Sequence, residues 1–206
     1  MTGHARLQLM DWKRRVLAMY AAARAGGDVP AACAAFRDAR DDLFRAHPQS
    51  PLPPADRAGW RGAAWFPHRP EMRVTAVLEP DGEGAALVIP TSTGEPTRFT
   101  RAGVVRPVLP DGPVTLAVYW LEGYGGGLFL PFRDALAGGG TYGGGRYLLD
   151  TVKGADLGTT ADGALVLDFN YAYNPSCSYD PRWSCPLAPP ANRIDVPVAA
   201  GEGHPG

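Results

Sequence analysis

The chain has 206 residues, which suits one domain of ordinary size with a core of its own. Its 20 lysine and arginine residues nearly balance 21 acidic residues, so no strong overall charge attracts nucleic acid or an anionic membrane surface. No apolar run approaches the roughly 20 residues of a membrane span, and the N-terminus lacks the apolar core of a signal peptide. We therefore expect a cytoplasmic protein that binds neither nucleic acid nor membranes.

Residues 1–50 are predicted to form a helical hairpin. Residues 7–25 carry apolar side chains at helical spacing and are followed by two glycines. A second helix is expected over residues 30–46, with Asp28 near its N-cap. Cys33 lies on the apolar stripe of this helix, so we interpret it as a core residue. Neither helix can bury its stripe alone, so the pair should cover one face or end of the rest of the domain.

Residues 51–206 are predicted to form a β-barrel or sandwich that makes one compact unit with the helices. Three Asp-Gly pairs begin at positions 81, 111 and 162, between apolar runs, where tight hairpin turns are expected. Abundant glycine (26) and proline (21), scattered along the chain, also indicate many turns. The sequence thus predicts a β-rich α+β fold, with an antiparallel barrel or sandwich of about eight strands. The expected strands are residues 72–79, 85–91, 97–100, 104–109, 114–122, 128–132, 146–152 and 165–171.

The C-terminal part of the chain is predicted to change from a strand to a long irregular coil. Asp168 and Asn170 fall on the same face of the strand because side chains alternate there. Five prolines between positions 175 and 190 then deny the backbone the donors of a helix or central strand. A polar and aromatic loop of this kind either carries function or caps an open end of a barrel. The last six residues are interpreted as a frayed tail.

Sequence motifs of common catalytic sites are absent. The four histidines are dispersed without an HExxH group, and GxSxG is missing. The glycine-rich residues 123–127 and 138–145 lack the lysine and the helix of a phosphate-binding loop. Seven residues separate the last two cysteines, more than in a zinc knuckle. A metal site assembled in space stays open, and its candidate ligands are His47, His68, Asp134, Asp168 and a cysteine.

The three cysteines are expected to be reduced, because their number is odd and no export signal precedes them. Cys177, with Arg182 nearby in sequence, is the one candidate for a nucleophilic thiolate. The alternatives are burial as a structural thiol, or redox pairing of Cys177 with Cys185 without a CxxC motif.

Polar and aromatic residues at the predicted strand ends suggest a pocket for a small anionic or carbonyl-bearing molecule, in which Arg146 would clamp an anion. Residues 174–193 would form its lid. The candidates for proton transfer are Asp168, Tyr142 and Asp134. The candidates for ligand binding are Arg146, Thr141, Asn170, Tyr173, Asn174 and Cys177. In the structural alternative, Arg146 pairs with Asp168, the asparagines bond to backbone groups and the tyrosines pack.

Two long motifs resemble a known family. PFRDALAGGGTYGGGRYLLD (131–150) and LDFNYAYNPSCSYDPRWSCPLAPPANRIDVPVAAGE (167–202), preceded by RDDLFRAHPQSPLP (40–53), are similar to domain of unknown function 1684, which has bacterial and archaeal members. The resemblance implies that the two motif blocks come together, but it implies no activity. The matching positions are Asp134, Thr141, Tyr142, Gly145, Arg146, Asp168, Asn170, Tyr173, Asn174, Cys177, Cys185, Pro186 and Asn192.

The leading hypothesis is therefore a small-molecule-binding protein, with cofactor-free acid–base catalysis as one form of it. A second hypothesis is a protein-interaction or scaffold module that exposes a C-terminal aromatic patch of Trp183, Tyr179 and Tyr171. A metal- or flavin-dependent redox protein is the third. The sequence assigns no cofactor and leaves the oligomeric state open.

Overall fold

The computed structural model describes residues 2–82, 84–94 and 96–205. Two helices open the chain, α1 (Gly3–Ala25) and α2 (Val29–Ala46). The first begins earlier than predicted because the side chain of Thr2 caps it. The predicted N-cap of α2 is confirmed, since Asp28 Oδ1 accepts a hydrogen bond of 3.0 Å from the backbone N–H of Ala31. Within the described residues, neither helix is long and apolar enough to cross a membrane.

The described strands are antiparallel and fall into three sheets. A five-stranded sheet has the order β2-β3-β6-β7-β8, β1 pairs with β9, and β4 pairs with β5. The predicted β-rich α+β fold with an N-terminal helical pair is thus confirmed, whereas closure into a barrel is not observed among the described strands. The strands are β1 (Arg73–Ala76), β2 (Ala86–Pro90), β3 (Pro96–Val105), β4 (Val108–Leu109), β5 (Gly112–Pro113), β6 (Leu116–Leu121), β7 (Gly127–Phe132), β8 (Arg146–Asp150) and β9 (Leu165–Asp168).

Two of the predicted strands are arranged differently. Residues 97–100 and 104–105 belong to one long strand, β3, because a β-bulge beside Gly103 lets the chain continue instead of turning. Residues 108–109 form the separate short strand β4. The predicted hairpin at residues 81–82 is also wrong, because the strands on its two sides, β1 and β2, belong to different sheets.

The other two Asp-Gly pairs do lie in turns. Asp111 is in the loop of the β4–β5 hairpin, where Leu109 pairs with Gly112. Gly163, in the third pair, donates its backbone N–H to the carbonyl of Thr160 at 3.0 Å, just before β9.

The central strands of the five-stranded sheet are buried on both faces. In β6, Leu116 and Val118 face one hydrophobic core, and Ala117 and Tyr119 face the other. One core lies between this sheet and the β1–β9 pair, and the other lies beneath the helices. Burial on both faces explains why the central strands are almost continuously apolar in sequence.

An aromatic cluster holds the helices on the sheet. The rings of Tyr20 in α1 and Phe36 in α2 have centroids 4.9 Å apart, and Phe36 lies 4.8 Å from Tyr171, just after β9. Cys33 is 1% exposed in the same core, which confirms the prediction of a core residue. The helical pair therefore covers one face of the sheet, as its apolar stripes require.

Residues 201–203 of the predicted tail are buried rather than frayed, and residue 206 of that tail lies outside the described residues. Glu202 is fully buried and forms a β-bridge with Trp65, and its backbone N–H donates to the carbonyl of Ala172 at 2.8 Å. The prediction of a frayed tail is thus wrong, because residues far away in sequence bind this segment. The two motif blocks do come together, as the bridge between Tyr147 and Tyr173 shows.

Candidate functional site

The nine residues predicted for the site fall into separate groups. They are not gathered around one pocket in the described part of the chain, because different elements hold them. The groups are Asp134 with Thr141 and Arg146; Asp168 with Asn170; Tyr142 with Cys177; and Tyr173 with Asn174.

Arg146 is 1% exposed, and its guanidinium binds the C-terminal segment. Nη1 donates to the carbonyl oxygens of Ala200 and Glu202 at 2.5 and 2.8 Å, and Nη2 donates to that of Val198 at 2.8 Å. Burial lowers the pKa of Arg146 to about 10, although Asp134 and Glu202 act in the opposite direction. Only Nε of this guanidinium has no partner. The geometry therefore favours a structural role over the expected anion clamp.

Asp134 is the buried partner of Arg146, with 3.6 Å between Oδ1 and Nη2. The same Oδ1 accepts a hydrogen bond from Thr141 Oγ1 at 2.8 Å, and Oδ2 accepts one from the backbone N–H of Val198 at 3.0 Å. The expected pairing of Arg146 with Asp168 is thus wrong. The carboxylate of Asp134 is fully engaged in joining two loops to the C-terminal segment.

Asp168 and Asn170 form a second buried group. Asp168 Oδ1 accepts from the backbone N–H and from Nδ2 of Asn170, at 3.0 and 2.8 Å, while Oδ2 lies 3.2 Å from Arg73 Nη1. The side chain of Asn170 also exchanges two hydrogen bonds of 2.8 Å with the backbone of Arg69. Protein donors therefore occupy both oxygens of Asp168, the residue that the sequence suggested as a general acid or base. This arrangement matches the structural alternative for the pair.

A further buried ion pair was not predicted from the sequence. Arg40 Nε, on the otherwise apolar stripe of α2, donates to Glu202 Oε1 at 2.5 Å. The other carboxylate oxygen, Oε2, accepts from the backbone N–H of Asn174 at 2.6 Å and from the Tyr179 hydroxyl at 2.9 Å. The pair thus ties the second helix to the end of the chain.

An apolar cavity of about 190 Å³ lies between β3, β6, β7 and the residues that follow β8. Its wall consists mainly of aromatic and aliphatic side chains, among them Phe99, Phe129 and Leu121. The charged groups in its lining are Asp150 and Lys153. A mostly apolar cavity with a few polar groups is typical of sites for small molecules.

A polar crevice of about 60 Å³ lies next to this cavity, beneath the two helices. Lys153 lines both spaces. Other polar side chains of the crevice belong to Arg40, Tyr20, Tyr147, Tyr173, Asn174 and Ser176, of which Tyr173 and Asn174 were predicted from the sequence.

Tyr147 and the Lys153–Asp150 ion pair lie where the two spaces meet. Lys153 Nζ is 2.9 Å from Asp150 Oδ2 and 5.4 Å from the centroid of the Tyr147 ring. The Tyr147 ring packs edge-on against Phe129 in the wall of the apolar cavity, with a centroid distance of 4.7 Å, and its hydroxyl donates to the Pro186 carbonyl at 2.5 Å. The cationic side chain of Lys153 thus borders both the apolar cavity and the polar crevice.

Two thiols lie in the loop beside these spaces. The backbone N–H of Cys177 points to Cys185 Sγ at 3.3 Å, and the Tyr142 hydroxyl is 3.8 Å from Cys177 Sγ. A hydrogen bond from the Cys185 thiol lowers the pKa of Cys177 to about 6; burial opposes this shift, and Ser92 and Tyr142 add to it. Arg182, the expected activator of Cys177, instead donates to backbone carbonyls of residues 50 and 52.

The proposed aromatic patch is not an exposed surface. Tyr171 is 2% exposed, the Tyr179 ring packs 5.3 Å from that of Phe44, and Trp183 Nε1 donates to the Pro51 carbonyl at 3.0 Å. The described residues also contain no group of three or more His, Cys, Asp or Glu side chains placed to hold a metal ion. The metal site assembled from His47, His68, Asp134, Asp168 and a cysteine is therefore not formed in this part of the chain.

Lys153, Asp150 and Arg40 were not predicted as site residues, although one feature of the sequence pointed to Lys153 and Asp150. Lys153 is one of only two lysines among the 20 basic residues, and it follows Asp150 by three positions at the end of a predicted strand. No such signal exists for Arg40, because a charged residue on an apolar stripe is usually solvated.

Comparisons with known proteins agree with the fold. The family model described as "Protein of unknown function (DUF1684)" matches residues 58–203. The solution NMR structure of the uncharacterized protein from gene locus rrnAC0354 of Haloarcula marismortui is 32% identical, covers 82% of this chain and 91% of its own, and superimposes with a TM-score of 0.59. The comparison with curated proteins finds no match. The chain belongs to the DUF1684 family of proteins of unknown function.

Proposed function

We propose that this protein binds a small molecule with an apolar body and an anionic or carbonyl-bearing head. The body would occupy the apolar cavity and the head would meet Lys153. The observation that carries the proposal is the position of Lys153, which lines both the apolar cavity and the polar crevice.

The volume of the apolar cavity supports a body of one ring or a short chain. An apolar cavity of about 150 Å³ is large enough to bind benzene, and this one measures about 190 Å³. Burying such a body in place of water is favourable by roughly 25 cal/mol per Å² of apolar surface. A benzoate-sized ligand therefore fits, with its carboxylate directed at the charged pair.

The electrostatics of Lys153 favour binding over covalent chemistry. Desolvation lowers the pKa of Lys153, but the charge of Asp150, the hydrogen bond that it accepts from Lys153 and the smaller effects of the two nearby thiols together outweigh it, and the net shift is upward. The amine is therefore protonated at neutral pH and is a poor nucleophile for a carbonyl group. Its side chain is 53% exposed and can reach a ligand, but Asp150 is buried, so Lys153 must stay close to that carboxylate while it does so.

The polar crevice offers a second set of donors for the head group. Arg40 uses Nε for Glu202, so both of its Nη groups can still donate to a ligand oxygen. Lys153 lines the same crevice. Any acid–base chemistry on a bound carbonyl would fall to Asp150 and Lys153, rather than to Asp168, Tyr142 and Asp134.

The experiment compares benzoate and hexanoate with benzyl alcohol, by titration calorimetry and by NMR chemical shifts. The variant is Lys153→Met, and the matched control is Lys13→Met, which removes the other lysine from an exposed face of α1. We expect the carboxylates to bind wild type and Lys13→Met equally. Lys153→Met should bind them about tenfold or more weakly, because a charge-assisted hydrogen bond is worth about 1.5–3 kcal/mol.

Binding of benzyl alcohol measures the contribution of the apolar cavity without that of the Lys153 charge. Its affinity should be similar for all three proteins, since it makes no ion pair with Lys153. If the carboxylates bound Lys153→Met as tightly as wild type, Lys153 would not be the group that binds the head of the ligand, and the proposal would be wrong. Absence of binding by every probe at millimolar concentration would reject the cavity as a ligand site.

The observations favour this function over a scaffold module, because the side chains of the expected patch are buried or half-buried. Trp183 and Tyr179 instead fasten the C-terminal loop to the linker after α2 and to α2 itself.

A further inference from the structure

We propose that Cys177 and Cys185 form a redox-active dithiol, which closes to an intramolecular disulfide when a hydroperoxide oxidises Cys177. This site is independent of the ligand site proposed above. The proposal stands on the contact between the two cysteines, on their different exposure and on the polar groups around Cys177.

The two cysteines are already in contact while reduced. Both are free thiols, and the Cys177 backbone N–H lies 3.3 Å from Cys185 Sγ. A disulfide needs its sulfurs about 2.05 Å apart, and rotation about the two Cα–Cβ bonds can move the sulfurs towards each other while the backbone holds the residues in contact. The loop between them is short and proline-flanked, so little chain entropy opposes closure.

Exposure assigns different roles to the two sulfurs. Cys177 is half-buried and can be reached by a small oxidant, whereas Cys185 is 5% exposed. An accessible thiol beside a second, resolving thiol is the usual arrangement in redox-sensing proteins. Cys177 is therefore the attacking residue and Cys185 the resolving residue.

The surroundings of Cys177 favour its thiolate. The Tyr142 hydroxyl, 3.8 Å away, can donate to the sulfur, because burial and the charge of Cys177 raise the pKa of Tyr142 to about 12 and keep it protonated. Ser92 Oγ accepts the backbone N–H of Cys185 at 3.2 Å and donates to the Trp183 carbonyl at 2.8 Å, so it fixes the loop beside the pair. With its lowered pKa, Cys177 is mostly thiolate at neutral pH, the form that attacks peroxides.

The reaction proceeds in two balanced steps. The Cys177 thiolate attacks one peroxide oxygen, an S–O bond forms, the O–O bond breaks, and hydroxide leaves and takes up a proton to become water. The Cys185 sulfur then attacks the sulfenic sulfur, the S–S bond forms, the S–O bond breaks, and the Cys185 proton leaves with the hydroxyl as a second water. The two thiols lose two electrons and the peroxide gains them; an external dithiol reverses the change.

Cys33 provides an internal reference for reactivity. It is 1% exposed, and burial raises the pKa of its thiol, so it should stay reduced under the same treatment. At neutral pH we expect Cys177 to react with hydrogen peroxide at least about tenfold faster than Cys33, because thiolate fraction and access both favour it.

The test uses intact mass and peptide mapping after treatment of the full chain with hydrogen peroxide. Wild type and Cys33→Ser should each lose two hydrogen atoms, with the new bond between residues 177 and 185, and dithiothreitol should restore the mass. Cys185→Ser should stop at a sulfenic acid on Cys177, trapped as a dimedone adduct. Cys177→Ser should form neither product.

Each result bears on the proposal. Near-ultraviolet circular dichroism and thermal unfolding establish that every serine variant is folded, and Cys33→Ser shows the effect of losing one thiol elsewhere. A pair that stays reduced in wild type under peroxide would overturn the proposal. A disulfide involving Cys33, or dimedone labelling of wild type and Cys185→Ser to the same extent, would overturn it equally.

Discussion

Arg146 and Asp134 form an ion pair in which both side chains are 1% exposed, with 3.6 Å between Nη2 and Oδ1. The two residues belong to the same motif block and are brought together beneath the C-terminal segment, whose carbonyl groups accept the remaining guanidinium hydrogen bonds. A buried ion pair that also binds backbone groups in this way holds loops together. Removing either charge leaves the other buried without a partner, which lowers the stability of the fold.

Arg146→Met should therefore destabilise the fold rather than remove a ligand. It leaves Asp134 as an uncompensated buried carboxylate and frees three carbonyl oxygens, so we expect a loss of about 3–5 kcal/mol in the free energy of unfolding. Urea denaturation measures this loss. The matched control, Arg14→Met on the exposed face of α1, should change the stability by about 0.5 kcal/mol or less. Equal stability of the two variants would contradict the structural role.

The reactivity of Cys177 should follow the pKa of a thiolate stabilised by its neighbours. In a Cys33→Ser background, the rate of alkylation by iodoacetamide should rise with pH and reach half its maximum near pH 6, the pKa of Cys177. The rate falls below that pH because the thiol becomes protonated and the thiolate is the nucleophile. Mass spectrometry of the alkylated peptide over a range of pH gives the profile.

Tyr142→Phe tests the cause of this shift. The variant removes a hydroxyl that can donate to the Cys177 sulfur, so the midpoint of the alkylation profile should move to higher pH. A wild-type midpoint near the ordinary thiol value of about 8.5 would show that the loop does not stabilise the thiolate. An unchanged midpoint in Tyr142→Phe would assign the shift to the other neighbours of Cys177, chiefly Cys185.

Asn192→Ala should be strongly destabilising. This fully buried side chain donates to the carbonyls of Ala117 and Pro131 at 2.9 and 2.5 Å and accepts from the N–H of Ala117 at 2.9 Å. Each backbone group left without a partner costs about 1–3 kcal/mol, so a total of about 3 kcal/mol or more is expected in thermal or urea unfolding. Arg193→Ala, at the exposed neighbouring position, is the control. Similar stabilities for these two variants would mean that water replaces the lost contacts.

Much of the fold follows from local patterns in the sequence. The apolar spacing of the helices, the Asp28 cap and the apolar strands depend on neighbours a few residues apart, and these predictions are confirmed except for the strands over residues 97–109. The pairing of β1 with β9 joins Arg73 to Asp168, 95 residues away in sequence, and no local pattern encodes that distance. Whether the two edge strands of the five-stranded sheet meet depends on long-range pairing of this kind, so barrel closure could not be derived from the strand count.

The site was harder to predict because its charges are paired through distant contacts. Arg40 and Glu202 are separated by 162 positions, one in a helical stripe and one in an expected tail. Arg146 and Asp168, the motif residues that the sequence suggested for binding and catalysis, instead make structural contacts. Lys153, in the turn that follows β8, lines both the apolar cavity and the polar crevice. Polar residue types alone do not distinguish a satisfied buried group from one that meets a ligand.

Gly103→Ala should cost more stability than Gly112→Ala, although both glycines have a positive φ, +144° and +134°. Both substitutions impose backbone strain of about 1–3 kcal/mol. At Gly103, beside the bulge in β3, an added Cβ would also collide with the carbonyl oxygen of Glu79, whereas at Gly112 it would meet no atom within 4 Å. That carbonyl accepts the Val104 N–H at 2.9 Å and links the chain after β1 to the larger sheet. Thermal unfolding should therefore show a larger loss for Gly103→Ala, and equal losses would mean that the bulge relaxes without breaking this link.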